Sequence, residues 1–450
     1  MEAHKPGYQH FIPQFLLRNL SHKYVPPDNL CLSDNNFCLD ECLVRGIYGL
    51  KNIYVNPTKP LQDHSYLKKK FAVFENKAIC IYRKIIKAYK DGKLVILLKR
   101  TEKDVLRKFV YLLTCRGEQF YRKYNLDEAI IDLDIDTEGC WKQHISKSIY
   151  FPIADQFINH ICDMYMAIFT PVNYNEEFVL TDNCYNVCKG RAITYFNIST
   201  GKHVSICPRF HKFAPISPRL MIILQSTHLP EPLEDVDPAI KRWRQFQRQL
   251  YIDPIFGSGI KSILEDVPIQ KALNNYMEIV DGRLAPRPEW NQRLGINDSF
   301  CFTIFSVPTR YVRTINGLLI DLAYHSSRII FNQKDIFLDL MEWYLTEPCE
   351  VGKNLTGENA FKQLQYIEGL SNFKSRQGRE ISPKMAFWPS DDRDLSQLQL
   401  KNIAGAQCLE GVRLKEDGIG FGFDAIYEKL GGTVATLEED MAMTNTMLQI

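Results

Sequence analysis

The sequence lacks the features that mark membrane proteins, secreted proteins and nucleic-acid coats. Its longest apolar runs, residues 94–98 and 220–224, are far shorter than the roughly 18–20 residues that span a bilayer. Basic and acidic side chains nearly balance, at 55 and 53, so no overall electrostatic field marks a nucleic-acid or membrane-surface binder. The first residues have neither the basic nor the apolar region of a signal peptide. We therefore expect a soluble, intracellular protein of the cytoplasm or nucleus, with no membrane association.

The cysteines do not form a disulfide framework. They number 13, an odd count, and are scattered without the spacing of a stapled domain. Cys31, Cys38 and Cys42, with His22 upstream, are candidate zinc ligands. Because the tight Cys-x-x-Cys knuckle of zinc sites is missing, buried thiols are the favoured interpretation. The cofactor stays unknown, and a divalent metal is the open option.

Hydrophobic periodicity predicts an α+β protein, with a helix-rich N-terminal half packed on a small, mainly antiparallel sheet and a closing helix. The 45% hydrophobic content supports a sizeable core. Helices are predicted over residues 13–20, 66–90, 102–124, 140–168 and 309–327, and residues 329–331 extend or end the last. Strands are predicted over 178–181, 192–196, 220–224 and 299–305, and residues 21–62 are predicted to be turn-rich.

Four segments carry a family resemblance. They are the opening motif, residues 9–20 (QHFIPQFLLRNL), the helix bearing Glu75, the helix bearing Arg116, and residues 178–183 together with 215–218. With these, the sequence resembles the DUF4238 family, whose activity is unknown. Residues 315–331 look like the closing helix of that family.

The resemblance covers about residues 9–345, which gives a predicted DUF4238-like domain at 1–345. Residues 346–450 form a C-terminal extension of unknown role, partly rich in loops. The chain departs from the family pattern where Leu180 directly precedes Thr181 without the usual Ser, and where Cys184 replaces the usual Pro. The family has no agreed catalytic residues, so the resemblance assigns no role to any side chain.

Glu75 and Arg116 are the most informative charged positions. Helical spacing sets Glu75 four residues after Phe71, inside the apolar stripe, and sets Arg116 three after Leu113 on the next helix. One interpretation is a structural ion pair that fixes the packing of the two helices, which is the favoured one. The other is a pocket in which Glu75 is a general acid/base or metal ligand and Arg116 binds an anion.

Three more residues complete a hypothetical pocket. His10 precedes Ile12 and Pro13 on an extended approach to a helix. Its side chain either reaches into a cleft or is a core histidine that donates to a backbone carbonyl. Arg18 lies three residues after Phe15 on that helix and is expected to face the same interior. Asp182 ends a predicted strand, although an Asp-Asn pair is also ordinary turn chemistry. Such a pocket is typical of sites that handle phosphate esters. The predicted catalytic residues are His10, Glu75 and Asp182, and the predicted ligand-binding residues are Arg18, Arg116 and Asn183.

A basic and aromatic segment at residues 241–248 is the candidate partner surface. If it is helical, Trp243 and Phe246 pack inward while Lys241, Arg244 and Arg248 face water, where they would meet nucleic-acid phosphates. A solvated helix face is the commoner explanation of such a pattern.

Two classes of function stay open. The first is a phosphoester hydrolase or nuclease-like effector with a buried His/Arg/Glu/Asp pocket. The second is a non-catalytic protein that binds a ligand or partner and has a structural ion-pair core. The sequence contains no Gly-x-Ser-x-Gly, His-Glu-x-x-His or Walker motif to decide between them.

Overall fold

A computed structural model gives the architecture of most of the chain. It describes residues 8–10, 12–20, 28–32, 37–41, 43–51, 66–114, 164–182, 193–197, 202–206, 208, 210–290, 295, 297–355 and 359–387. Within these ranges no helix is both long and apolar enough to cross a bilayer.

The helices begin and end at recognisable signals. Asp237 caps one of them by accepting a hydrogen bond from the Ala239 N–H at 2.8 Å, and Pro238 takes the first helical position. The helix Tyr66–Lys90 is followed by Gly92, whose φ of +71° favours glycine. The α-helices of the described residues are α1 (Gln14–Asn19), α2 (Tyr66–Lys90), α3 (Arg100–Thr114), α4 (Pro238–Tyr251), α5 (Asp253–Phe256), α6 (Thr309–Asp321), α7 (Lys334–Thr346) and α8 (Ala360–Arg376).

The strands form one large sheet and several small ones. They are β1 (Tyr8–His10), β2 (Asp28–Cys31), β3 (Cys38–Glu41), β4 (Gly49–Lys51), β5 (Val95–Lys99), β6 (Met164–Pro171), β7 (Ile193–Asn197), β8 (Lys202–Ile206), β9 (His211–Ser217), β10 (Leu220–Ser226), β11 (Leu273–Asn274), β12 (Met277–Val280), β13 (Arg283–Pro286), β14 (Ser299–Val307), β15 (Arg328–Phe331), β16 (Asn354–Leu355) and β17 (Ala386–Phe387).

The large sheet has the strand order β11-β14-β6-β10-β9, with β5 paired to the first half of β14. Its pairs are antiparallel except for β14 and β6, which are parallel. Every residue of β10 is buried, so both faces of the sheet are covered at this strand. The mixed α+β class and the mainly antiparallel sheet are therefore confirmed.

Two small sheets hold the N-terminal segments against the rest of the fold. Strand β1 pairs with β4, and β2 lies between β15 and β3. Leu180 extends the second sheet by a single antiparallel bridge to Ile330, with reciprocal backbone hydrogen bonds of 2.9 Å. Helix α1 reaches the large sheet through Asn19, whose side-chain amide donates to the Ile216 carbonyl at 3.0 Å.

The sequence predicted several elements correctly. Helices at 13–20 and 66–90 correspond to α1 and α2, and strands at 192–196, 220–224 and 299–305 correspond to β7, β10 and β14. The predicted helix-rich N-terminal half is not confirmed. The described residues up to 226 contain ten strands beside three helices.

Other predictions were wrong. The helix predicted over 140–168 cannot extend to its end, because Met164–Pro171 is strand β6; residues 115–163 lie outside the described part. Seven of the eight β6 residues are buried, and a strand covered on both faces has a continuous apolar run that resembles a buried helix. Residues 329–331 belong to strand β15 rather than to the closing helix. The strand predicted at 178–181 is reduced to the Leu180 bridge, and the turn-rich segment 21–62 contains β2, β3 and β4.

Helix α8 packs on the same core although it follows residue 345. The Arg376 side chain donates to the Phe37 carbonyl at 2.6 Å, and the Tyr366 hydroxyl donates to the Ile320 carbonyl at 2.8 Å. Gly369 lies so close to Phe37 that a methyl group there would be 2.6 Å from its ring. The domain boundary at 345 stays a prediction, but residues 359–387 contribute to the common hydrophobic cluster.

Gly369→Ala is expected to destabilise the protein. Overpacking against the buried Phe37 ring costs roughly 1–3 kcal/mol, which exceeds the gain of about 1 kcal/mol from placing Ala in a helix. Chemical denaturation measures the difference. Gly46→Ala is the matched control, since nothing lies within 4 Å of its added methyl group. A Gly369→Ala protein as stable as the wild type would show that Phe37 moves aside without cost.

Candidate functional site

The opening motif forms a chain of hydrogen bonds that we call the relay: His10, Gln14 and Arg18. The His10 Nδ1 lies 2.9 Å from the Ile47 carbonyl oxygen, which can only accept, so Nδ1 carries the proton. The Nε2 of His10 then accepts from the Gln14 side-chain amide at 2.7 Å. The Gln14 oxygen in turn accepts from the Arg18 Nη2 at 2.8 Å. Since Arg18 only donates, the orientation of the Gln14 amide is fixed from both sides.

The local sequence explains why the relay forms. Gln14 and Arg18 are four residues apart in α1, so their side chains share one helix face. Pro13 begins that helix in an extended conformation, and β1 holds His10 opposite Gly49 in the register with β4. The buried side chains Leu16 and Leu17 occupy the other side of the helix, which leaves Arg18 exposed.

Neighbouring contacts connect the relay to two other family-like segments. Tyr48 directly follows Ile47, whose carbonyl accepts from His10. The Tyr48 hydroxyl donates a hydrogen bond to the Arg328 carbonyl in β15. Asn19, which follows Arg18, donates to Ile216 in β9. The segments around 9–20, 215–218 and 328–331 therefore meet in one region of the molecule.

The structure joins two of the predicted site residues, His10 and Arg18. His10 and Arg18 are joined through Gln14, which the sequence analysis did not single out. Glu75 is half-buried on α2, and Asp182 is buried two residues beyond Leu180, so these two lie on separate elements. The predicted residues Arg116 and Asn183 lie outside the described part of the chain.

Helix α1 and the Glu75 turn of α2 pack on the same aromatic ring. The ring of Phe15 in α1 is centred 5.8 Å from that of Phe109. Phe74, the residue before Glu75, has its ring centre 6.3 Å from Phe109. Phe15 also contacts Tyr82, with ring centres 5.4 Å apart. The aromatic packing of α1, α2 and α3 thus positions the helix that carries Arg18.

A second, buried charge cluster was not predicted. The Arg244 guanidinium pairs with Glu234 at 2.7 Å and with Asp235 at 3.0 Å, and it also donates to the Thr227 carbonyl. The other Glu234 oxygen pairs with Lys271. The prediction that Arg244 faces water was therefore wrong. Only 4% of its side chain is exposed, because the acidic loop before α4 folds back over the helix.

The remaining residues of the basic segment have mixed environments. Lys241 is exposed, as predicted, whereas the Arg248 Nε lies 3.5 Å from the Asp253 carboxylate. Trp243 and Phe246 are half-buried. The continuous cationic face predicted for nucleic-acid phosphates is thus interrupted at Arg244.

Burial and neighbouring charges have opposite effects on the two glutamates of the cluster. Burial by itself would raise the pKa of Glu234, but Lys271 and Arg244 outweigh it and hold this pKa below its ordinary value. Burial raises the pKa of Glu231 against the opposing backbone hydrogen bond from Lys271. The Glu231 oxygens accept from the backbone N–H groups of Lys271 and Glu234, at 2.9 and 2.8 Å. These contacts cross-link the acidic loop (residues 231–235), helix α4 and Lys271, so the role of the cluster is structural.

A third polar group holds the segment before Leu180. The buried Glu177 carboxylate accepts from the side chains of Asn332 and Gln333, at 2.7 and 2.9 Å, and from the Gln333 N–H at 3.1 Å. Asn316 in α6 donates to the Glu177 carbonyl at 2.7 Å and accepts from the Val179 N–H at 3.2 Å. No spacing rule would have found this group, because its residues are about 140–155 positions apart.

Metal binding finds no support among the described residues. None of their His, Cys, Asp and Glu side chains form a group of three or more that could hold an ion. Cys31 is half-buried and Cys38 is exposed, so the interpretation as buried thiols is wrong for Cys38. Cys42 lies outside the described part.

Arg244→Met is expected to lower the free energy of unfolding by about 3–5 kcal/mol, because it leaves Glu234 buried without its arginine partner. Lys241→Met on the exposed face of the same helix should change it by less than about 0.5 kcal/mol. Urea denaturation checks both values. If the two variants are equally stable, Arg244 is not part of a buried ion pair, and it is again a candidate surface residue for binding nucleic acid.

His228 should make stability depend on pH. Burial, helped by the charges of Arg244 and Arg248, lowers the pKa of His228 from 6.5 to about 4. Between these values the unfolded chain binds a proton that the folded chain does not, so stability falls as pH is lowered from 6.5 to 4.

We expect His228→Asn to remove up to about 3 kcal/mol of that pH-dependent loss. His325, whose pKa burial also lowers to about 4, stays in the variant and contributes its own slope. Unfolding free energies at several pH values compare the two proteins. Parallel curves between pH 6.5 and 4 would contradict the expected role of His228.

Comparison with known proteins identifies a family for the chain. No curated protein and no solved structure matches the chain. The sequence model of a family described as "Protein of unknown function (DUF4238)" matches residues 8–130 and 127–335. These matches include the opening motif, the Leu180 bridge and strand β15, and they span most of the chain. The protein belongs to the DUF4238 family.

Proposed function

We propose that the protein binds a phosphoryl-bearing ligand and that Arg18 contacts the anion. The observation that carries this proposal is the relay, which holds an exposed arginine in a fixed direction. A flexible surface arginine loses side-chain entropy when it binds an anion, and a guanidinium held beforehand loses less. The planar fork of the guanidinium matches the oxygens of a phosphate.

The internal use of the other buried charges supports the choice of this region. Arg244, Lys271 and the glutamates between them neutralise one another, and Glu177 is held by three hydrogen bonds. These groups have a sufficient explanation in the packing of the fold. The relay differs from them because it leads from a backbone carbonyl to an exposed cation.

Inorganic phosphate is the probe for a direct test by titration calorimetry on the full chain. Arg18→Lys keeps the charge but loses the planar fork, and we expect it to weaken phosphate binding at least about tenfold. Gln14→Leu should weaken it as well, because Arg18 loses the group that orients it. Arg283→Lys, at an exposed arginine in β13, is the matched control. If the Arg18 and Arg283 variants bind phosphate equally well, the relay is not the binding site.

Hydrolysis of the bound ester is the second candidate function, and a register argument favours it. The antiparallel bridge pairs Leu180 with Ile330, and Asp182 and Arg328 are each two residues from it, in the directions that a continued antiparallel register would bring together. Tyr48, whose hydroxyl donates to the Arg328 carbonyl, directly follows Ile47, whose carbonyl accepts from His10. A buried carboxylate would then lie near the relay, as a general base or a metal ligand would.

We rank binding before hydrolysis because both His10 nitrogens are already engaged. For His10 to accept a proton from a substrate, the Gln14 amide must first leave Nε2. Glu75, half-buried on α2, stays a candidate acid/base in the hydrolytic version.

Turnover of p-nitrophenyl phosphate and its diester, with and without Mg²⁺ or Mn²⁺, tests the hydrolytic version. Asp182→Asn and Glu75→Gln should each lower turnover by about a hundredfold or more while phosphate binding persists. Glu289→Gln, at an exposed position, is the control. If wild-type protein binds phosphate and turns over neither ester, binding alone is the function.

A further inference from the structure

Two cysteines lie directly opposite each other in the hairpin formed by β2 and β3. The antiparallel register pairs Cys31 with Cys38, and both are thiols rather than members of a disulfide. Directly opposed residues of an antiparallel pair point to the same face, with Cα atoms about 4.5–5.5 Å apart. That separation lies within the roughly 4.4–6.8 Å that a disulfide spans. The two sulfur atoms can therefore be joined without moving the strands apart.

The two thiols differ in their access to solvent. Cys38 is exposed, whereas Cys31 is half-buried on the central strand of the three-stranded sheet. On its other side Cys31 pairs with Arg328 in β15. An accessible thiol beside a protected one is the arrangement of an attacking cysteine and a resolving cysteine.

We propose that Cys31 and Cys38 form a reversible redox pair that is oxidised by a low-molecular-weight disulfide such as glutathione disulfide. The Cys38 thiolate attacks one sulfur of glutathione disulfide, the S–S bond breaks, and one glutathione thiolate leaves. The Cys31 thiolate then attacks the Cys38 sulfur of the mixed disulfide and releases the second glutathione. Two protein thiols are oxidised, one glutathione disulfide is reduced to two glutathione molecules, and two protons pass from the cysteines to the glutathione thiolates.

The position of the pair gives its oxidation a structural effect. Phe37, the residue before Cys38, is held by Arg376 and lies against Gly369 of α8. Cys31 is held through β15, whose Arg328 carbonyl accepts from Tyr48. A disulfide would tie these two anchored strands together. The redox chemistry itself does not depend on the proposed phosphate binding.

Equilibration of the full chain with mixtures of reduced and oxidised glutathione tests the proposal. The samples are quenched with acid, alkylated and mapped by mass spectrometry. The Cys31–Cys38 link, with a loss of two hydrogen masses, should appear at a milder oxidising ratio than any modification of Cys80. Cys31→Ser should instead accumulate Cys38 joined to one glutathione. Cys38→Ser should leave Cys31 largely reduced, because the exposed attacking thiol is gone. Cys80→Ser, at an exposed cysteine of α2, is the matched control and should leave the link unchanged.

The peptide map of the wild-type protein decides the outcome even if a variant fails to fold. The proposal is overturned if Cys80 becomes glutathionylated while Cys31 and Cys38 stay unlinked. It is equally overturned if Cys38 joins Cys42, four residues further along, in preference to Cys31. A link that reduced glutathione cannot reverse would also contradict a redox pair.

Discussion

Strand β10 is buried along its whole length, and the rest of the chain is arranged so that both of its faces are kept from water. Neither face of such an apolar strand is stable in contact with solvent, because burial of apolar side chains contributes roughly 25 cal/mol for each Å² removed from water. Cover must therefore come from elements that are far apart in sequence. Side chains of α1, α2, α3, α6, α7 and α8 belong to the one hydrophobic cluster that contains β6, β9 and β10.

The same burial dictates where charged side chains can lie. Several loops place buried carboxylates and an amine in a region of low dielectric constant, where an unpaired charge is costly. Glu177 is satisfied by three hydrogen bonds, and Glu234 by Arg244 and Lys271. The fully buried Lys353 pairs with Glu347 and donates to its carbonyl at 3.1 Å. Each group holds one loop against the packed core.

Local patterns in the sequence revealed the elements whose environment is one-sided. Helix α2, with one apolar stripe and a lysine-rich opposite face, was predicted with its observed bounds. Strand β6 was taken for part of a helix because both of its faces are buried, which removes the alternation that identifies a strand. The strands β2 and β3 were missed because their polar residues and flanking turns resemble a loop. Strand β2 pairs with β15, almost 300 residues further along the chain, and no local window contains that contact.

The candidate site divides in the same way. The extended approach that carries His10 and the short helix that carries Arg18 were predicted from the sequence. The interior direction expected for Arg18 was wrong, because its side chain is exposed. Gln14, which joins His10 and Arg18, was overlooked because an amide on a helix has no distinctive pattern until its partners are known. Arg244 was misplaced because its helical face is covered by a loop that precedes the helix. Periodicity identifies which face of a helix is apolar, but it does not identify which polar face another segment covers.

The relay has a direction, and this has a consequence for how the protein can respond to acid. With His10 neutral, every donor in the relay points toward the Ile47 end and every acceptor toward the Arg18 end. An imidazolium would place a second donor against the Gln14 nitrogen, and the amide would have to rotate to present its oxygen to His10. Its nitrogen would then face the Arg18 guanidinium, donor against donor. One proton on His10 would thus break the hydrogen bond between Gln14 and Arg18, one side chain further along the relay.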